Sequence, residues 1–287
     1  MTTLITGGTG KTGLHLANLL HQAGHPVLIA SRSGTAPAPF QSSTVKFDWL
    51  NPDTHKNPFT IDANIERVYL VAPNHVYDPL PSMQPFLDLA VSKGVRRFVL
   101  LTGSQWHIGE LPLGTVHQYL LNLNVEYAVI KPTWFIDNFA SLFLASIRDR
   151  DEVFSAAGDG RIPFVSAEDI AHAAFEALTA KQSPNKEYFV LGPELYTYEE
   201  VAKLFSTVLG REIRYRRLSV EEQTQIFASV MPAEYARKLA GTEQLASQGA
   251  EEKLFREGGE KSFIGKQTLL GFIEKNKNIW VKKGDAA

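Results

Sequence analysis

Residues Gly7-Gly8-Thr9-Gly10-Lys11-Thr12-Gly13 follow the apolar Thr3-Leu4-Ile5 and precede an amphipathic stretch. Gly13, Leu16, Ala17 and Leu20 stand at i, i+3, i+4 and i+7, the spacing of one helical face. Strand, glycine loop and helix in this order are what a dinucleotide-binding βαβ unit requires. Gly7 and Gly10 let the backbone turn tightly and approach a pyrophosphate, and Gly13 lets helix and strand pack closely. The N–H groups and partial positive charge at the helix start then hold the anion. A glycine pattern alone also marks ordinary loops. Here strand, helix and continuation agree on nucleotide binding.

The continuation narrows the ligand. Gly24 caps a helix ending near Gln22-Ala23, and a second strand follows at Val27–Ala30. At its carboxyl end, an NAD site carries Asp or Glu for the ribose 2′-hydroxyl. This chain has Ser31-Arg32-Ser33 there, an arginine between two hydroxyls with no carboxylate to repel a 2′-phosphate. The spacing predicts NADP(H) rather than NAD(H); a solvated arginine in a turn is the alternative.

Composition fits a soluble α/β enzyme. A chain of 287 residues, 44% hydrophobic, can bury a large core. A formal charge of −2 gives no electrostatic reason to expect nucleic acid or a membrane as partner. The absence of cysteine excludes disulfides and thiolate metal sites and suits a reducing compartment. His21 and His25 are four apart, but Gly24 and Pro26 end the helix that a two-histidine metal site needs. The first strand starts at residue 3, leaving no room for a leader, and no apolar run reaches membrane-spanning length. The expected location is cytoplasmic, as a monomer or homodimer.

Strand and helix signals alternate through the first half. Val68–Pro73 and Arg97–Ser104 read as buried strands, with a helix over Pro85–Lys93 between them, and Val125–Lys131 follows a helical stretch at Thr115–Leu123. Near-continuous apolar strands separated by helices predict a doubly wound parallel sheet, covered on both faces. Beyond Trp134 come a helix to about Arg148, a turn at Gly158-Asp159-Gly160, a helix from Ser166 and a strand at Tyr188–Leu191. After residue 195 the chain reads as mostly helical. The expected division is 1–150, the nucleotide-binding part, and 151–287, completing the sheet edge and forming a smaller substrate-side lobe. The tail after Trp280 is expected to be mobile.

The glycine loop with Arg32, then VYLVAP (68–73), GVRRFVLLTGS (94–104), KPTWFIDNF (131–139), GDGRIPFVSAEDIA (158–171) and LGPELYTYEEVA (191–202) carry a resemblance. Together they resemble the atypical short-chain dehydrogenases/reductases of the NmrA-like group, within it the fungal ergot-alkaloid reductases of festuclavine or agroclavine dehydrogenase type. The resemblance implies a Rossmann-type NADP(H)-binding domain and, in the alkaloid branch, hydride delivery to a cyclic iminium. It places Thr9, Lys11 and Thr12 at the phosphates and Arg32 at the 2′-phosphate. Asp48 with Trp49 falls at the adenine, although Asp48 reads equally as a solvated carboxylate. Ala72 and Pro73, also plain core residues, end the strand running along the nicotinamide ribose. Pro132 begins the segment walling the nicotinamide.

An absence is as informative. Typical members of this superfamily carry Tyr-x-x-x-Lys, whose lysine lowers the tyrosine pKa so that the phenol protonates a developing alkoxide. Here Tyr119 is followed four residues later by Leu123, and no lysine occurs between Lys93 and Lys131. His117 stands as a substitute ribose contact or as a partly exposed helix histidine. Ser104 stands as a substrate contact or a turn cap. An iminium electrophile removes the need for the missing proton, because hydride addition yields a neutral amine. The site then has to place the reacting carbon, exclude water and accept a flat aromatic cation. Tyr77, Trp106, Trp134, Phe135 and Phe164, near strand ends or in the loops after them, are the candidate aromatic pocket. Each taken singly is more often a core residue. Two other classes stay open: an NADP-holding redox sensor of the NmrA-like kind, and a non-redox cyclase using the cofactor-loaded pocket.

Overall fold

The computed structural model describes residues 1–74 and 76–282. Strands and helices alternate as β1 (Thr2–Thr6), α1 (Lys11–Gln22), β2 (Val27–Ser31), β3 (Thr44–Lys46), α2 (Asn57–Ile61), β4 (Ile65–Leu70), α3 (Leu80–Ser92), β5 (Arg97–Leu101), α4 (Gly114–Asn122) and β6 (Glu126–Pro132). They continue through α5 (Leu144–Arg150), β7 (Glu152–Ser155), α6 (Ala167–Thr179), β8 (Lys186–Leu191), α7 (Tyr198–Leu209) and β9 (Arg214–Arg217). The last elements are α8 (Val220–Ala228), α9 (Ala233–Ser247), α10 (Ala250–Glu257), β10 (Ser262–Ile264) and α11 (Leu269–Asn276). The main sheet runs β10-β8-β6-β5-β4-β1-β2-β3. The registers of β1 with β2 and β4, β2 with β3, β4 with β5, β5 with β6, and β10 with β8 are all parallel. This is the doubly wound sheet, and its order reverses between β1 and β4, the switch point where such sheets bind ligands.

The chain divides into two compact units, Met1–Lys131 with Ile170–Tyr188, and Pro132–Asp169 with the chain from Phe189 onward. The sequence expectation of a single cut at 150/151 differs. In the first unit α6 is held by long-range contacts: the buried Arg97 guanidinium donates to the Ala177, Leu178 and Ala180 carbonyls at 3.2, 3.0 and 2.6 Å. Phe175 meets His25 edge-on. Nothing local in the sequence marks such a return.

The first unit is built by strands whose two faces are both buried. Leu4, Val68, Phe98, Leu100 and Val129 pack with Met83, Phe86, Leu87 and Ala90 of α3. Leu16, Ala17 and Leu20 put the apolar stripe of α1 fully inside. Helix α3 starts five residues before the expected Pro85, because Met83, Phe86, Leu87 and Ala90 form one buried stripe that spans the proline. That packing outweighs the one backbone bond Pro85 cannot donate.

The second unit has its own aromatic core of Phe139, Phe143, Phe164, Tyr198, Phe205 and Trp280. The Trp280 indole N–H donates to the Phe139 carbonyl at 3.0 Å. Helices α7 and α8 begin with capping boxes, Thr197 with Glu200 and Ser219 with Glu222. Strands β7 and β9 form a small parallel pair, and β9 lies in the stretch beyond residue 195 that the sequence reads as mostly helical. Of the expected mobile tail, Lys282 pairs with Asp151 at 2.5 Å, and residues 283–287 lie outside the described residues. Among the described residues no helix is long and apolar enough to cross a membrane.

Candidate nucleotide site and the α4 segment

Every glycine of the first loop has a spatial reason. Gly7 has φ +60° and lies against Val71, where a Cβ would come within 3.1 Å of the valine Cβ. A Cβ on Gly13 would stand 2.5 Å from the Gly7 oxygen and 2.8 Å from the Gly8 Cα, so α1 touches the loop through bare backbone. Gly10 is the N-cap of α1 and donates to the Gly7 carbonyl at 2.8 Å. No side chain caps this helix and its first turn holds no acidic residue. The first-turn N–H groups therefore have no intrahelical partner and face no competing carboxylate, the arrangement that binds a phosphate. Thr9 and Lys11 are exposed beside them. Thr12 is turned inward, its hydroxyl accepting from the Tyr69 phenol at 3.1 Å, so its backbone N–H is what it offers an anion.

The opposite wall of this crevice is fixed by Thr6, which the sequence did not single out, and by Trp49, which it placed at the adenine instead. Thr6 Oγ1 donates to the Tyr69 carbonyl at 2.9 Å and accepts the Val71 N–H at 2.8 Å. Trp49 donates its indole N–H to the Val71 carbonyl at 2.9 Å. That indole is buried edge-on against Phe47 and Phe86. Trp49 therefore acts on the end of β4, ahead of Ala72 and Pro73, and presents no free face to a ligand. Asp48 beside it is half-buried, and its Oδ1 accepts the Leu50 N–H at 3.0 Å.

At the end of β2 a hydroxyl network shapes the turn around the exposed Arg32. Ser31 Oγ donates to the Thr35 carbonyl at 2.9 Å, and Ser33 Oγ lies 2.7 Å from Thr35 Oγ1. Gly34, at φ +70°, rests on Lys46 of β3, where a Cβ would meet the lysine Cβ at 3.2 Å. The turn is thus held by the protein's own contacts, with Thr35 as a member that sequence reading missed.

Helix α4 is the segment in which the sequence resemblance leads one to look for a proton relay. Tyr119 is half-buried, and its phenol donates to Asp88 on α3. Burial and that carboxylate both push its pKa up, the reverse of what a catalytic acid needs. His117 is buried, which removes the partly exposed alternative, because helix phase puts it with Val116 and Leu120 on the inner face. It lies 6.2 Å from the Tyr127 ring, and burial lowers its pKa, opposed by Glu187 and reinforced by Lys131. Lys131 and Glu187 form an ion pair at 3.1 Å. Ser104, after β5, is buried.

The aromatic candidates separate. In the first unit, Tyr77 is half-buried after β4 and Trp106 is buried in the loop after β5, with its indole against Gly103. In the second unit, Pro132 is buried at the end of β6, while Trp134 and Phe135 are half-buried. The backbone there is clamped: Val165 N–H donates to the Trp134 carbonyl and Ile136 N–H to the Val165 carbonyl, both at 2.9 Å. Phe164 is a core residue, 2% exposed and 5.4 Å from both the Phe139 and Tyr198 rings. It shapes the unit from inside and has almost no surface for a substrate.

Residues 114–272 match the NmrA-like family, and residues 3–105 match the NAD dependent epimerase/dehydratase family. The chain belongs to the NmrA-like family. Within curated relatives it is 39% identical to an agroclavine dehydrogenase of Claviceps fusiformis, over 99% of this chain and 100% of that protein. It is 37% identical to a festuclavine dehydrogenase of Aspergillus fumigatus, over 98% of this chain and 100% of that one. Solved structures with the same fold include an NADPH-dependent quinone oxidoreductase of Escherichia coli complexed with NADPH, with TM-score 0.74 and 20% identity over 95% of this NmrA-like chain and 99% of that one. A Citrobacter triphenylmethane reductase complexed with NADP(H) aligns with TM-score 0.74 and 21% identity, over 96% and 99%.

Proposed function

We propose that this NmrA-like chain is an NADPH-dependent oxidoreductase that reduces the C=N bond of a cyclic iminium on an indole-derived scaffold. The residues present fit the cofactor: a Cβ at Gly13 would fill the cradle, and the first turn of α1 offers its N–H groups without an internal cap. Gly7, Gly10 and Gly13, with Thr9 and Lys11, would hold the pyrophosphate; Arg32, with Ser31, Ser33 and Thr35 shaping its turn, would hold the 2′-phosphate. Bound there, the reduced nicotinamide supplies a hydride.

The observation that carries the choice of electrophile is α4. Its one phenol, Tyr119, is tied to Asp88, and position 123 is leucine where a relay needs lysine. Carbonyl reduction needs a proton for the alkoxide, whereas iminium reduction ends at a neutral amine. The clavine dehydrogenase relatives, similar over nearly the whole chain, support the same reading. The test is NADPH consumption with cyclic iminium ions, quinones and aldehydes compared at equal concentration. Iminium ions are expected to turn over fastest; equal or faster turnover of simple aldehydes would overturn the reading.

A further inference from the structure

Among the buried side chains of the second unit, polar atoms of Tyr198 on α7, Gln223 on α8 and Glu243 on α9 make no hydrogen bond within the protein. Each is 0% exposed. Glu243 Oε2 accepts the Ala156 N–H at 2.7 Å, while its Oε1 accepts nothing. Both amide atoms of Gln223 and the Tyr198 hydroxyl are equally without partners. An orphaned buried polar group costs about 1–3 kcal/mol, so three in one unit call for a cause.

Their placement is not random. Gln223 and Phe227 are one turn apart on α8, and Ala236, Ala240 and Glu243 recur at i, i+4 and i+7 on α9. Phe227, Ala236 and Ala240 form one buried cluster, and Trp134 packs against it. Glu243 lies close enough to Tyr198 on α7 and Tyr215 on β9 to raise both phenols. Those two rings stack with centroids 6.0 Å apart. The α8–α9 hairpin therefore presents a carboxyl and an amide on the face against which an indole packs, with a phenol in electrostatic reach.

The chemistry selects the occupant. Once ionised, the carboxyl repels an anion, and one carboxylate with no imidazole beside it is a poor metal site. A cationic nitrogen satisfies the set: its charge pairs with Glu243, its N–H reaches an amide or carboxyl oxygen, and an aromatic face attracts it. We infer that this face of the second unit is a docking site for a cationic nitrogen, that of the iminium substrate, with Glu243 as its counter-ion. The inference rests on the iminium reading above. Burial alone pushes Glu243 up to about 8, opposed by the Ala156 N–H, and no cation contributes. At neutral pH the Glu243 carboxyl is therefore mostly protonated, with Tyr198 and Tyr215 neutral beside it. Docking exchanges one positive charge for another: the carboxyl proton leaves to solvent as the cation enters.

The experiment is calorimetric titration of protonated 1,2,3,4-tetrahydro-β-carboline into the full chain loaded with NADP+, at pH 7, in two buffers of different ionisation enthalpy. Wild type is expected to release close to one proton per ligand bound. Glu243→Gln keeps an acceptor for Ala156 and is expected to release none and to bind about tenfold or more weakly. Gln223→Met is expected to weaken binding while keeping the proton release. Absence of binding, binding without proton release in wild type, or release that persists in Glu243→Gln each overturn the inference. So does a ligand-soaked crystal in which only an ordered water bridges Glu243 and Tyr198. Iminium turnover without proton-linked binding would remove this site and leave the reductase reading intact; proton-linked binding without iminium turnover would do the reverse.

Discussion

Gly13→Ala tests the nucleotide crevice most sharply, because one methyl group meets two backbone atoms. The new Cβ would lie 2.5 Å from the Gly7 oxygen, about 0.9 Å inside ordinary contact at 3.4 Å. The neighbour cannot yield alone: Gly7 O accepts from Gly10 at 2.8 Å and Gly8 N–H is bound to the Ala30 carbonyl at 3.2 Å. Overpacking of this kind costs about 1–3 kcal/mol, offset by up to ~1 kcal/mol from replacing a helical glycine by alanine. The net loss of about 0–3 kcal/mol lowers Tm by at most roughly 12 °C. The functional loss is larger, because relief moves the first-turn N–H groups by about an ångström, a displacement that typically costs on the order of a hundredfold. Gly241→Ala in α9 is the control, since nothing lies within 4 Å of its added Cβ. It is expected to gain about 0.5–1 kcal/mol and leave affinity unchanged. Thermal melts and NADPH titrations on the three proteins measure both effects. A Gly13→Ala protein that binds NADPH within about threefold of wild type would refute the reasoning.

Arg32→Ala removes a charge-assisted contact and is expected to weaken NADPH binding by about 10- to 150-fold without changing NADH binding; an unchanged NADPH preference in paired titrations would dismiss Arg32 as the 2′-phosphate ligand. Tyr119→Phe is expected to leave turnover within about threefold, since the phenol serves Asp88; a drop of ~10²-fold would reveal a proton relay. His55 is buried with Nε2 unpartnered, and burial lowers its pKa. The unfolded chain takes a proton near 6.5 while the folded chain resists it, so stability is complete above that pH and falls as the pH drops below it. Tm followed across that range should fall more steeply in wild type than in His55→Phe, and parallel curves would contradict the assignment.

The parts of this fold that were legible in the sequence are those set by local requirements. Gly7, Gly10 and Gly13 encode a turn, an approach and a contact within seven residues, and the apolar strands encode burial on two faces. Thr6 and Trp49 were not legible as wall-fixing residues, because their partners Tyr69 and Val71 lie 63 and 22 residues away. The same limit hid the return of α6 through Arg97, whose carbonyl partners lie 80 or more residues on. Tyr77, Trp106, Trp134, Phe135 and Phe164 share a composition, yet only packing distinguishes Phe164, inside an aromatic core, from Trp134 at a half-buried position. The buried trio of Tyr198, Gln223 and Glu243 left one faint signal, a glutamate on the alanine stripe of α9. Helical periodicity marks such a residue as inward-facing but says nothing of what it meets.

Deuterium transfer tests the central claim most directly. NADPH labelled at C4 with deuterium is incubated with the protein and a cyclic iminium on an indole scaffold, and the amine product is examined by mass spectrometry and NMR. The account predicts one deuterium on the former iminium carbon, transferred at a rate that tracks the iminium concentration. Product formed without label at that carbon, or cofactor bound but never oxidised across the substrate panel, would contradict it and favour a sensor or cyclase role for the same fold.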